Sequence, residues 1–238
     1  MEDIATQLFE LRYKADPKFL DSKGEITRKL VEACGFQHWQ IDENRINFAI
    51  QKPGRDTAFV SFHNCGTVSH SPTTKNYFED KAAKFLTSLF KIDEFKPTNF
   101  LRLGVKSTFA FPYNQDFKLL VDKYKKVFLS QNVENFKIFP GKIIDIGFAS
   151  IHFESENGNF NIVMGPMPKD QFKDFFNEKK LPEGTNFPET GIFFDIDYFK
   201  KEPTFGGVEK INTAIKEFSK QSWDMFEDLK KLLLGSQN

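Results

Sequence analysis

Residues 99–111 alternate over most of their length. Leu101, Leu103, Val105, Phe109 and Phe111 fall on one side of an extended chain, with Phe100, Arg102, Gly104 and Lys106 on the other. Successive strand side chains point to opposite faces, so a period of two over this length commits the segment to a sheet with one apolar side. Residues 7–13 do the same more briefly: Phe9, Leu11 and Tyr13 oppose Glu10 and Arg12. These two alternating runs each open a half of the chain, and the elements after them follow a similar order.

In the first half, Ser22 and Glu25 have the spacing of a capping box. It predicts a helix using Ile26, Leu30, Ala33 and Cys34 and ending at Gly35. Strands are expected at 39–41, 45–51 and 58–63, separated by Asp42-Glu43-Asn44 and Pro53-Gly54, with Asn64-Cys65-Gly66 read as a turn. A helix over 76–91 places Phe78, Ala82, Phe85 and Leu89 on one stripe. After Pro97 the order restarts with the 99–111 strand. Asn114 can cap a helix with Phe117, Leu120, Val121, Tyr124 and Phe128 on its apolar face. Strands at 142–154 and 159–165 turn through Asn157-Gly158. A short helix at 170–178, a strand at 191–199 and a helix at 208–234 complete the half.

Strands joined by short turns, with helices set between runs of them, predict an α+β fold. We expect one large antiparallel sheet with helices on one face and a long C-terminal helix. It is built from two strand–helix–strands–helix halves, 1–96 and 97–238, that together make one domain. In the last helix Val208, Ile211, Ile215, Phe218, Ser222, Met225, Leu229 and Leu232 step by threes and fours. Trp223 and Phe226 widen that stripe, which favours packing across the sheet. Homodimerisation through the same seam is the alternative.

Composition narrows the functional classes. Basic and acidic residues balance at 33 each, which argues against a nucleic-acid partner, since no broad positive field exists to gather phosphates. No long apolar run crosses a membrane, and the start of the chain carries no basic-then-apolar leader, so a cytoplasmic location is expected. Two cysteines, Cys34 and Cys65, are too few for a disulfide framework. The 30 phenylalanines stand against five Tyr and two Trp. Phe, Lys, Asn and Ile share AT-rich codons, so genome composition can account for the number. It does not account for their placement.

Familiar chemistry is missing. The four histidines, His38, His63, His70 and His152, lack zinc-pair spacing, and there is no phosphate loop or nucleophile elbow. No cofactor is expected. The weak metal candidates are Asp195 and Asp197 on one strand face with His152 and Glu154 on another, which would meet only if the two strands pair in register. A second pattern lies on strand faces that should be wet. Phe59 accompanies His63, Phe100 accompanies Arg102 and Lys106, and Phe193 and Phe199 bracket the two aspartates. Apolar side chains among charges on a one-sided sheet suggest a binding surface made of Phe59, His63, Phe100, Arg102, Lys106 and Phe193; the alternative is a second core, with loops or the long C-terminal helix covering this face.

Two segments also resemble a known family. Phe9-Glu10-Leu11-Arg12-Tyr13 is similar to the opening strand of a sporadically distributed bacterial family of unknown function. Phe100-Leu101-Arg102-Leu103-Gly104-Val105 resembles its central Arg-Ile-Gly-Leu-type strand, and Asp195-Ile196-Asp197 before a terminal helix fits the same order. The family's Arg-Tyr-Ile-Asn continuation is replaced by Val105-Lys106-Ser107-Thr108. The resemblance implies no established enzymatic activity and an association with mobile or defence-linked genes. The expected function is therefore a non-enzymatic interaction or sensor module with a protein partner, in a defence or toxin–antitoxin setting. A small-molecule-binding helix-grip protein and a metal-dependent hydrolase or nuclease are the alternatives.

Overall fold

A computed structural model describes residues 3–51, 56–70, 76–113, 116–128, 149–155, 158–176, 181 and 183–235, without the side chains of Phe153 and Ser155. The first half contains β1 (Ile4–Tyr13), α1 (Lys18–Cys34), β2 (His38–Ile41), β3 (Arg45–Ala49), β4 (Asp56–Ser61), β5 (Asn64–His70) and α2 (Tyr77–Phe90). The second contains β6 (Phe100–Pro112), α3 (Phe117–Phe128), β7 (Ala149–Ser155), β8 (Gly158–Pro168), α4 (Lys169–Phe176), β9 (Thr190–Lys201) and α5 (Val208–Leu234). The expected Pro53-Gly54 and Asn157-Gly158 turns, the Asn114 cap and the strand start at 142–148 fall wholly or partly outside the described residues.

The strands form one nine-stranded sheet in the order β2-β3-β4-β5-β1-β6-β9-β8-β7, and every neighbouring pair is antiparallel. The two alternating strands, β1 and β6, pair with each other at the centre. Each half then runs outward from its first strand, through its last, to its earlier ones. This is the α+β architecture expected from the sequence, and the shared order of the halves becomes a mirrored order in the sheet.

Local chemistry explains most boundaries and two departures. Helix α1 starts before the Ser22–Glu25 box, where the Asp16 carboxylate accepts the Lys18 N–H at 3.0 Å. Ser22 and Glu25 therefore lie inside the helix, and Glu25 accepts hydrogen bonds from Arg28 instead of capping. The C-terminus follows expectation: Gly35 takes φ 74°, the left-handed conformation glycine adopts cheaply, and donates its N–H to Val31. Asn64-Cys65-Gly66 is not a turn but the start of β5. The hairpin turns one step earlier, at Phe62-His63, where Ser61 Oγ accepts the backbone N–H groups of His63 and Asn64.

Helices α1, α2, α3 and α5 pack on one face. Phe9, Leu11 and Tyr13 of β1, Val105, Phe109 and Phe111 of β6, and Phe194, Ile196 and Tyr198 of β9 are buried beneath them in a cluster that draws on both halves. Helix α5, at 27 residues and about 40 Å, crosses the sheet. Phe226 stacks on Phe109 with centroids 4.4 Å apart, and Phe218 lies 4.0 Å from the Tyr198 ring. The expected heptad seam holds as far as Ser222 and then drifts: Phe226 and Leu233 are buried while Leu232 is 60% exposed. A straight helix at 3.6 residues per turn slips against a 3.5 repeat in this way. Ile211, Ile215, Phe218 and Ser222 of the seam are thus occupied by the core beneath the helix. Its register is fixed by fully buried Gln7, whose Nε2 donates to Ser107 and Ser219 and whose Oε1 accepts from Trp223. The eight-residue α4 is the exception to one-sided packing. Its Phe172 and Phe176 form a second cluster on the opposite face with Ile4, Ala110, Met167 and Phe193.

Candidate functional site

Strand parity decides which side chains reach the face opposite the long helices. On β1 these are Thr6, Leu8, Glu10 and Arg12, because Phe9 and Leu11 point into the core. On β6 they are Arg102, Gly104, Lys106 and Thr108; on β9, Asp195, Asp197, Phe199 and Lys201. On β4 Phe59 shares this face. Among the described residues, the cover on this side is α4 with Leu181 and Phe187, at the end that holds Ile4 and Phe193.

The open part has a repeated construction. Phe59 sits directly opposite Gly66 on the neighbouring strand, and Phe199 sits opposite Gly104. An aromatic ring can lie flat over a glycine that has no side chain to hold it off. The Phe59 ring occupies the space of a Gly66 Cβ, at 2.8 Å from where that atom would be. Over Gly104 it is the Arg102 guanidinium that lies down, 2.6 Å from the Cβ position. A cation then stacks on each ring: Arg45 over Phe59 at 4.0 Å and Arg102 over Phe199 at 4.6 Å. Burial lowers the pKa of Arg45 from its ordinary value, while Glu10 and Asp42 pull it back up.

Glu10 lies between the two stacks, and ion pairs run from it along β6 and β9. Arg102 grips both oxygens of Asp197 at 2.7 and 2.8 Å and lies 3.8 Å from Glu10. Glu10 also takes Arg12 at 2.7 Å and a hydrogen bond from Asn64. Asp195 accepts from Thr108 and pairs with Lys106 at 2.9 Å.

Of the predicted surface residues, Arg102 and Lys106 stand on this face as expected, and Phe59 stands on it beneath Arg45, 7% exposed. His63 is exposed at the β4–β5 turn, its ring edge against Phe62. Two expectations are corrected. Phe193 does not face solvent; it is fully buried under α4, with Phe175 4.1 Å away. Phe100 does not accompany Arg102. The pairing of β1 with β6 skips Leu101 between Arg12↔Arg102 and Tyr13↔Phe100, a bulge that flips the alternation. Phe100 therefore packs among Phe90 and Phe205 on the helix side, and Leu101 is left half exposed. The same register rules out the proposed metal set. Strand β8 lies between β7 and β9, so Asn161 separates His152 from Asp197 and hydrogen-bonds the imidazole at 2.6 Å. The two aspartates are already engaged by Arg102 and Lys106. Among the described residues no group of three or more His, Cys, Asp or Glu could hold a metal ion.

Glu10, Arg12, Arg45 and Phe199 also belong to the site but were absent from the predicted surface. Their signal was a glycine opposite a phenylalanine on the next strand, which becomes readable once the register is known. Elsewhere, an enclosed space of about 40 Å³ lies between α1, α2 and β4–β5, beside Cys34, Phe36, Thr67 and Phe85. It has room for water and not for a metabolite. A groove of about 370 Å³ at the start of α1 is lined by charges, Asp16, Asp21, Asp93 and Glu94 against Lys18 and Lys96. Burial pushes up the thiol pKa of both Cys34 and Cys65, so neither is an activated nucleophile. No described helix is long and apolar enough to cross a membrane. No protein family and no curated protein matches the sequence.

Proposed function

We propose that this chain is a non-enzymatic interaction module that holds a protein partner on the open sheet face around Glu10, Arg12, Arg102 and Lys106. The observation that carries the reading is the pair of guanidinium–aromatic stacks flanking Glu10, each built over a glycine. Arginine and aromatic side chains held rigid on a broad face are the groups that dominate protein interfaces. Catalysis is disfavoured because the carboxylates on this face are engaged by cations and converge on no reactive group or metal. The resemblance to a sporadically distributed bacterial family supports a setting in a defence or toxin–antitoxin operon, where the partner would be encoded alongside.

A photo-crosslinking residue at Leu8, in the middle of the open face, tests this in the native host. Position 32, on the outer surface of α1, serves as the control. Adducts with a discrete protein are expected from position 8 and not from 32. Adducts from 32 alone, or none from 8, would overturn the reading.

A further inference from the structure

One rung of the open face is unusual in its charge. Arg12 sits directly opposite Arg102, and Arg102 directly opposite Lys201, so three cations occupy adjacent cross-strand positions on β1, β6 and β9. Neighbouring strands are about 4.8 Å apart, and like charges placed directly opposite destabilise a sheet. Among the described residues the local counterions are Glu10 and Asp197, two carboxylates for three cations. They also lie deeper than the outermost cation. The Arg12 side chain is 52% exposed against 16% for Glu10, and the next pair along β6 repeats this, with Lys106 at 45% against 13% for Asp195. At the centre of the rung the order reverses, with Arg102 at 19% against 24% for Asp197, so the outward donors of this face are Arg12, Lys106 and the exposed Lys201, with Glu10 and Asp195 beneath them.

We infer that the Arg12–Arg102–Lys201 rung is an anion-reading strip that takes the carboxylates of an acidic segment of the partner protein. This rests on the interaction reading above. A carboxylate brought onto the rung supplies the missing counterion and accepts in-plane hydrogen bonds from the exposed guanidinium of Arg12. The chemistry favours separated carboxylates over a nucleic-acid backbone. Glu10 and Asp197 sit within the strip and would repel a continuous line of phosphates, and the chain has no net positive charge to gather one.

The test is fluorescence anisotropy of the intact chain with a labelled poly-glutamate peptide at low and moderate salt. Binding that weakens with salt is expected. The double variant Arg12→Ser/Lys201→Ser should lose about tenfold in affinity while its melting temperature stays level or rises, because like-charge repulsion is relieved. An equal loss in Arg28→Ser/Lys29→Ser, on the outer surface of α1, would make the binding unspecific and overturn the inference. Tighter binding of oligothymidylate than of poly-glutamate would overturn it in favour of a nucleic acid. If the chain ignores poly-glutamate yet still crosslinks through position 8, the acidic partner is wrong and the interaction reading stands. Loss of the crosslink removes both.

Discussion

The two faces of the sheet use the same amino acid in opposite ways. On the covered face phenylalanine meets phenylalanine: Phe109 stacks on Phe226 and touches Trp223, and Phe111 stacks on Phe194. Those contacts are dry and close-packed. On the open face phenylalanine meets a cation: Arg45 lies over Phe59, whose ring fills the space above Gly66, and Arg102 lies over Phe199 with its guanidinium above Gly104. The difference is set by what stands on the neighbouring strand and not by the residue itself. A ring on the covered face contributes mainly volume. A ring on the open face is a platform that fixes a guanidinium in place.

If that contrast is right, the largest effect belongs to the covered face. Phe109→Ala removes a fully buried ring from between α5 and β6 and should cost about 3–5 kcal/mol, read as a lower urea midpoint at unchanged m-value. Phe59→Ala, whose ring touches a side-chain-free glycine and a solvent-exposed cation, should cost less, about 2 kcal/mol. Equal losses would mean that Phe59 belongs to a second core and that the open face is not a platform.

The two glycines sharpen the contrast further. A Cβ at Gly66 would lie 2.2 Å from the Phe9 carbonyl oxygen as well as 2.8 Å from the Phe59 ring, so the backbone itself must move. Gly66→Ala should therefore destabilise by about 1–3 kcal/mol, the range for overpacking. At Gly104 the three nearest atoms are all the Arg102 guanidinium, which can swing away. Gly104→Ala should leave stability within about 1 kcal/mol of the parent but release the Arg102 clamp on Asp197. Melting curves give the first quantity, and a crystal structure of the variant the second. Arg102→Met should cost about 1–2 kcal/mol, since it leaves a half-buried Asp197 without the guanidinium nitrogen that donates to both its oxygens.

These differences also show which parts of the fold were legible. Period-two alternation gave β1 and β6, because each keeps one face in a core and the other in polar surroundings. Helical stripes gave α2 and α5, the latter to the residue. Strand β5 was missed because Asn64, Gly66, Ser69 and His70 are turn-like or polar types. It is a strand because its neighbours on both sides supply a ladder, which no local pattern records. The site was half legible. Arg102 and Lys106 followed from parity, but a single skipped residue at Leu101 reversed Phe100, and a short helix buried Phe193. Both are tertiary facts. The pairing of Gly66 with Phe59 and of Gly104 with Phe199 needs the strand order, and β5 had not been recognised.

Ion pairs also decorate the outer surface of the helices, and they provide the mildest comparison with the open face. On α1, Glu25 takes hydrogen bonds from Arg28 and pairs with Lys29 at 3.2 Å, and these contacts hold its carboxyl at about 2, below the ordinary 4.5. A carboxyl depressed in the folded state adds stability above its unfolded value, and that contribution is lost as pH falls from about 4.5 towards 2. Being exposed, the pairs are screened by salt and water, and the bridge from Lys29 to Glu94 that reaches the segment before β6 is equally open. Side-chain carboxyl NMR should place the Glu25 midpoint near 2 in the parent and back in the ordinary carboxylate range in Arg28→Ala/Lys29→Ala, with only a small drop in melting temperature at neutral pH. A large drop at neutral pH would mean that exposed pairs carry stability wherever they occur. The ion pairs of the open face would then have an ordinary structural explanation, and the contrast between the two surfaces would rest on the glycine-seated rings alone.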